Sequence, residues 1–299
     1  MTTVGSGKYT FEVVENCAKL PEGETFAMVS AMAADSQDRV FAFQRKDPPI
    51  LIFDRDGNLL DSWGNGAFSF AHGIYIEDDT VYLTDRDNSV CLVYTIDGKP
   101  IQMLGRHGVH SDTGCENPGD LCPRADGPFN YPTEMIPSPS GDLYVSDGYR
   151  NARIHRFTWD GQLKQSWGAP GKTEPGHFHL PHSLLIHNDT IFLCDRENHR
   201  MQLFSLDGEF ITIWDDIQRP MDISADSEGN LVVSEGSVND SSARVSVLDT
   251  SGNVLARFDC RGPGHGSWVD SRGDIYVGLS DGTGIDKFVR QQSPKRNIG

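Results

Sequence analysis

Short runs of alternating apolar and polar residues recur along the chain. One unit reads RVFAFQRKDPPILIFDRDGNLLDSWG from Arg39, another TVYLTDRDNSVCLVYTIDGKPIQMLG from Thr80, and a third DLYVSDGYRNARIHRFTWDGQLKQSWG from Asp142. The pattern returns from Thr190, from Asn230 and, shortened, from Asp274. Each unit holds a β-rich run, a turn near Asp or Asn, a second alternating run, a DG or SG turn and a third run. Asp-Gly between alternating apolar runs marks a hairpin. A further short run precedes each unit, as in HGIYIED and HSLLIHN. Four strands in roughly 40 to 50 residues make one propeller blade. Six copies therefore predict an all-β, six-bladed β-propeller that fills residues 1–299 as one domain. The sixth unit lacks a clear outermost strand. YTFEVVENC, from Tyr9, is expected to supply it and close the ring, which removes exposed strand edges. The spacing breaks once, at about 106–130, where GRHGVHSDTGCENPGDLCPRADGPFN is rich in Gly and Pro and reads as a loop over one face.

Composition narrows the functions available. The chain has 299 residues, 37% of them hydrophobic, with a net charge of −17. So acidic a surface disfavours nucleic acid and anionic membranes as partners. No run reaches the 18 or so apolar residues of a membrane helix, and the N-terminus lacks a signal-like apolar stretch. A soluble, cytoplasmic protein is the expectation. Of six cysteines, Cys91 and Cys194 fall in apolar runs and read as packed thiols. Cys115 and Cys122 share one loop and read as free thiols, with a disulfide as the alternative. CxxC pairs are absent, which argues against a thiolate zinc site.

The repeat phase singles out three histidines. His72, His182 and His265 each stand thirteen residues before a matching point (72 to 85, 182 to 195, 265 to 278). Each immediately precedes the expected innermost strand, in blades two, four and six. The same position holds Thr133 in blade three and Met221 or Asp222 in blade five. Alternate blades of a six-fold ring are about 120° apart, so three imidazoles at one height face one axial point. Three histidines with an open position suit a catalytic zinc ion. The competing reading is polar filling of the channel. The other histidines do not share the phase and read as surface or structural, with His179 the exception to watch.

A second phase carries charge. Arg45, Arg86, Tyr149 and Arg196 follow the second strand of successive units, in FQR, TDR, DGY and CDR. They are expected together at the channel mouth, where arginine suits a carboxylate. This points to a small anionic substrate. The alternative is that Asp85-Arg86 and Asp195-Arg196 are ion pairs within blades. Tyr149 is a candidate for hydrogen bonding or proton transfer.

PHSL…DREN, PFNYPTE…YVSDGYRNARIHRF with its WG, and the histidine trio resemble peptidyl-α-hydroxyglycine α-amidating lyases and, more broadly, NHL-repeat six-bladed propellers. The resemblance runs from about residue 30 to 290. It implies zinc held by His72, His182 and His265, with Arg45, Tyr149 and Arg196 as catalytic residues. The implied reaction cleaves the C–N bond of a carbinolamide, releasing an amide and glyoxylate. Zinc would acidify the substrate hydroxyl, the tyrosine would take its proton, and an arginine would hold the carboxylate. Three positions depart from the pattern. Gly266 stands where the family's structural calcium takes an aspartate, beside carbonyls near Met32 and Ile74. Pro263 replaces a methionine, and Arg150 a cysteine. The expected function is a zinc-dependent lyase acting on a small anionic or α-hydroxy-amide substrate, with Arg45, Arg86 and Arg196 binding it. The alternatives are a metal-dependent propeller hydrolase or lactonase, and a non-catalytic NHL scaffold. Lactonase sites lean on carboxylate and Asn ligands, and a scaffold needs no in-phase histidines.

Overall fold

A computed structural model describes residues 2–291. Blade one runs outward through antiparallel strands Val29–Ala34, Val40–Gln44, Ile50–Phe53 and Leu59–Trp63. Blades two to five repeat this order from innermost strands Ala71–Glu77, Pro132–Pro137, Pro181–His187 and Pro220–Ala225. Blade six takes Gly264–Val269, Ile275–Leu279 and Ile285–Arg290 from the C-terminal side and Tyr9–Val14 from the N-terminal side. Phe11 pairs with Arg290 and Val13 with Phe288, which closes the ring. Thr3–Ser6 adds a fifth strand to this blade, beyond what the repeat predicts. One 3₁₀ turn, Arg196–Asn198, interrupts the strands. Among the described residues no helix is long and apolar enough to cross a membrane.

Burial follows position in the blade. Val29–Ala34 is buried throughout, whereas Leu59–Trp63 is exposed or half-buried. The core is divided among six apolar clusters, each shared by two neighbouring blades. Between blades one and two, for example, Phe41, Phe43, Ile50 and Ile52 meet Ile74, Ile76, Val81 and Leu83. Each such side chain contributes about 1.5–3 kcal/mol when fully buried, so the blades hold one another by their faces. The hairpin turns add a second contact. Gly98 has φ +78°, and a Cβ there would lie 2.7 Å from the Trp63 ring of the preceding blade. Only glycine tolerates both the left-handed backbone and that approach.

The innermost strands share one irregularity that positions the site. Each carries a β-bulge near its start, at Val29/Ala31, Ala71/Ile74, Pro132/Glu134, Pro181/Leu184, Pro220/Asp222 and Gly264/Ser267. A bulge re-aims the side chain it contains. The bulged positions are Ser30, His72, Thr133, His182, Met221 and His265. The histidines therefore lie inside their strands rather than just ahead of them, because the strand starts at Ala71, Pro181 or Gly264. Blade five presents Met221, not Asp222, at this phase.

Residues 106–131 carry no strand. The segment folds onto the rim of blades three and four. Gly119 donates its N–H to the Tyr149 carbonyl (2.7 Å), its own carbonyl lies 3.1 Å from His179 Nε2, and Arg150 Nε donates to the Cys115 carbonyl (2.9 Å). Cys115 and Cys122 are buried there as free thiols, and Cys91 and Cys194 are buried in their strands.

Candidate metal centre

The bulges bring His72, His182 and His265 onto the axis. Their ligand-capable nitrogens lie within 4.8 Å of one another, and all three residues are buried. Each Nδ1 meets a backbone carbonyl of the next blade's bulge: His72 with Thr133 (2.8 Å), His182 with Met221 (2.5 Å) and His265 with Ser30 (2.6 Å). A carbonyl only accepts, so Nδ1 carries the proton and Nε2 keeps its lone pair. The Nε2 atoms of His72 and His265 are buried without a partner. His182 Nε2 faces the Tyr149 hydroxyl at 3.3 Å.

Electrostatics keep the rings neutral. Burial holds His72 well below the ordinary imidazole range, with His265 and Arg45 adding to the effect. His182 is likewise held well below that range by burial, then by Arg196 and His72. Burial, then Arg45 and Arg196, push His265 down to about 3. Three neutral imidazoles with converging nitrogens, two of them unpaired and the third facing the Tyr149 hydroxyl, fit a divalent transition metal such as zinc, and the carbonyls on Nδ1 orient them for it. The same residues do not fit the calcium arrangement carried by the resemblance. A Cβ on Gly266 would lie 2.3 Å from the Ala31 Cα, so no aspartate fits there in this backbone.

A cationic rim stands over the histidines. Backbone bonds give it one phase: the N–H groups of Arg45, Arg86, Tyr149 and Arg196 donate to the carbonyls of Met28, Phe70, Tyr131 and Leu180. These four carbonyls belong to the residues two before each bulged position, in blades one to four. Tyr149 is buried and accepts Arg196 Nη1 at 3.1 Å. Burial pushes its phenol up, but Arg196, Arg45 and Arg86 outweigh this and hold it below its ordinary value. Arg45 Nε donates to the Ala71 carbonyl (3.2 Å), Nη1 lies 2.8 Å from Met28 Sδ, and Nη2 is buried without a partner. Burial lowers its pKa to about 10. Arg86 lies 4.7 Å from the centroid of the Tyr149 ring.

The ion pairs expected as the alternative for these arginines do not form. Arg86 Nε donates to Asp87 (2.7 Å) and Arg196 Nε to Glu197 (2.8 Å). Asp85 instead accepts the Ser69 and Phe70 N–H groups, and Asp195 pairs with Arg200 at 2.8 Å. An acid at a strand end points back into its own turn, whereas the next side chain points to the channel.

Several residues here had no functional reading in the sequence. Glu197 also accepts Arg219 Nη2 at 3.0 Å, tying Arg196 to blade five. Arg45 and Arg86 both lie against the Phe70 ring. Glu134 and Asp222 line a cavity of about 10 Å³ together with the three histidines. Burial pushes both carboxyls up, Asp222 to about 7. The repeat phase could have found them: Phe70 and Arg219 lie two before the bulged positions, and Glu134 and Asp222 one after. Of the remaining histidines, His179 reaches the Gly119 carbonyl rather than the axis. His155 is bonded to Ser166 and Asp147 within blade three.

No family model matches the chain. It is 32% identical over 196 residues to the peptidylglycine α-amidating monooxygenase of Rattus norvegicus, covering 59% of this chain and 19% of that protein. Peptidyl-α-hydroxyglycine α-amidating lyase 1 of Drosophila melanogaster is 30% identical over 180 residues, covering 56% and 31%. NHL repeat-containing protein 3 of Homo sapiens is 30% identical over 207 residues, covering 64% and 55%. The aligned part thus spans from about a fifth to about half of these relatives' lengths. Among solved structures, virginiamycin B lyase of Staphylococcus aureus has a TM-score of 0.63 at 16% identity, covering 93% of this chain and 99% of that one. A gluconolactonase of Xanthomonas campestris has a TM-score of 0.66 at 15% identity, covering 95% and 91%. At such identities the structural likeness is one of fold, the six-bladed propeller.

Proposed function

We propose that this chain is a metal-dependent carbon–nitrogen lyase that opens a small carbinolamide bearing a carboxylate, of the α-hydroxyglycine type. The carrying observation is the convergence of three imidazole nitrogens, those of His72 and His265 open and that of His182 against the Tyr149 hydroxyl, with the unpaired Arg45 Nη2 at the rim. His72, His182 and His265 would hold zinc or another divalent transition metal, and that ion would lower the pKa of the substrate hydroxyl. Tyr149, held below its ordinary pKa, takes the hydroxyl proton. The oxygen's electrons form the aldehyde C=O, the C–N bond breaks, and nitrogen takes up a proton. The products are an amide and glyoxylate, with no net redox change. Arg196 donates to the Tyr149 oxygen and steadies its charge. Arg45 holds the carboxylate, with Arg86 as a second cation at the rim. The amidating-lyase relatives support this reading. The all-histidine donor set separates it from a lactonase whose metal rests on carboxylate and Asn ligands.

The test is elemental analysis of the purified protein together with turnover of a short N-acyl-α-hydroxyglycine, followed by glyoxylate release. About one transition-metal ion per chain, and turnover abolished by a chelator and restored by zinc, are expected. A protein that takes up no metal, or that releases glyoxylate at an unchanged rate after the metal is removed, overturns the proposal.

A further inference from the structure

Two guanidinium groups lie against one aromatic ring. Cζ of Arg86 is 3.6 Å from the Phe70 centroid, and Cζ of Arg45 is 3.9 Å from it. Two planar cations this near one centroid would overlap on a single face, so they occupy opposite faces. Phe70 is the layer between them. The ring is itself fixed from behind. Phe70 N–H donates to Asp85 Oδ1 (2.9 Å), and its carbonyl accepts Arg86 N–H (3.1 Å). Asp85 is held in turn by Ser69 N–H and Asn88 Nδ2. Phe70 also stands two residues before His72, so one short segment carries an imidazole of the metal centre and the spacer of the rim.

Arg45 shows why an aromatic ring is needed. It is largely buried, and its hydrogen bonds go to a carbonyl and a thioether; Tyr149 and Asp87 favour its charge from nearby, but Asp87 is bonded to Arg86 rather than to Arg45. A buried cation needs compensation. An acidic neighbour would provide it and would also consume the charge that an anionic substrate requires. The face of a phenyl ring attracts a guanidinium without neutralising it. The corresponding residues in the other blades are Met28, Tyr131, Leu180, Arg219 and Pro263; Tyr131 also has two guanidinium groups near its ring, Arg86 and Arg150, but both at 5.2 Å, so the close double contact belongs to blade two.

We propose that Phe70 is a positioning residue: by stacking Arg45 and Arg86 on its two faces it keeps the Arg45 guanidinium charged, unpaired and aimed at the substrate carboxylate. This rests on the reading of Arg45 as the carboxylate holder. The experiment compares zinc-loaded wild type with Phe70→Leu, which keeps bulk and loses the ring, and Phe70→Tyr, which keeps the ring. An N-acyl-α-hydroxyglycine and its methyl ester serve as substrates, and glyoxylate as a competing ligand. In Phe70→Leu, KM for the acid and Ki for glyoxylate should rise about ten-fold. The kcat, the metal content and the KM for the ester should change little. Phe70→Tyr should recover most of the loss. Phe70→Met replaces the leucine variant if that lowers the melting temperature. Wild-type preference for acid over ester that survives unchanged in Phe70→Leu or Phe70→Met overturns the role of Phe70 and leaves the lyase reading standing. A wild type that turns over neither compound, or does not distinguish them, overturns the carboxylate reading and this inference with it.

Discussion

Two buried imidazole sites in this molecule look equally chemical and are not. In blade three, His155 is fully buried, with Ser166 Oγ 2.7 Å from Nδ1 and Asp147 Oδ2 3.2 Å from Nε2. Serine, histidine and aspartate in line are the parts of a nucleophilic triad. Both ring nitrogens, however, are occupied. Asp147 also accepts Asn130 N–H (3.0 Å) and Asn151 Nδ2 (2.8 Å). The same slot in blade four holds Gln202, which donates to Asp195 at 2.9 Å, and in blade five Ser246, which donates to Glu235. A position that accepts His, Gln or Ser, each bonded to the acid at the end of the second strand, is a lock between strands. On the axis, Nδ1 is used and Nε2 is open in His72 and His265. The open valence, rather than burial or the company of polar residues, is what distinguishes the candidate metal centre.

This contrast can be broken by substitution. His182→Ala should lose the metal and lower turnover at least about a thousand-fold, whereas His155→Gln should keep both within about three-fold. Elemental analysis with glyoxylate release checks the pair, and loss of metal from the His155 variant would erase the distinction. Tyr149→Phe should lower kcat by about 10²–10⁴ with full metal content. A near-normal kcat would remove the tyrosine from proton transfer.

The structural lock should show in stability instead. His155→Ala leaves the Asp147 carboxylate short of a partner and should cost about 2–4 kcal/mol in urea melts. His155→Gln, which copies blade four, should cost about 1 kcal/mol or less.

The smallest effect concerns pH in the metal-free protein. The axial histidines are held below the ordinary imidazole range, so the unfolded chain binds their protons near pH 6.5 while the folded chain refuses them. More protons on the unfolded state means that stability rises with pH, and is lost as the pH falls from about 6.5. Glu134 and Asp222, held above the ordinary carboxyl range, act oppositely over part of this window. The comparison with His182→Ala isolates one imidazole. Wild type should lose about 1 kcal/mol more than the variant between pH 7.5 and 5.5. Parallel losses would mean that His182 titrates normally.

Strands, hairpins, blade count and closure were legible because their causes are local. Alternation decides which face is buried, and Asp-Gly decides where the chain reverses. The common phase of His72, His182 and His265 was legible for the same reason, as was the row of Arg45, Arg86, Tyr149 and Arg196. Their contacts were not. Asp85-Arg86 reads as an ion pair in the sequence, yet the strand end sends the two side chains to different sides. Nothing local says that Phe70 separates two arginines, or that Gly266 leaves no room for a Cβ. The decisive choice, which nitrogen of each axial histidine stays free, belongs to the Thr133, Met221 and Ser30 carbonyls of the neighbouring blades. Local alternation and turn chemistry are enough to build each blade. Only the closed ring brings one blade's imidazole to the next blade's backbone, and so only the tertiary structure decides which nitrogens face the axis.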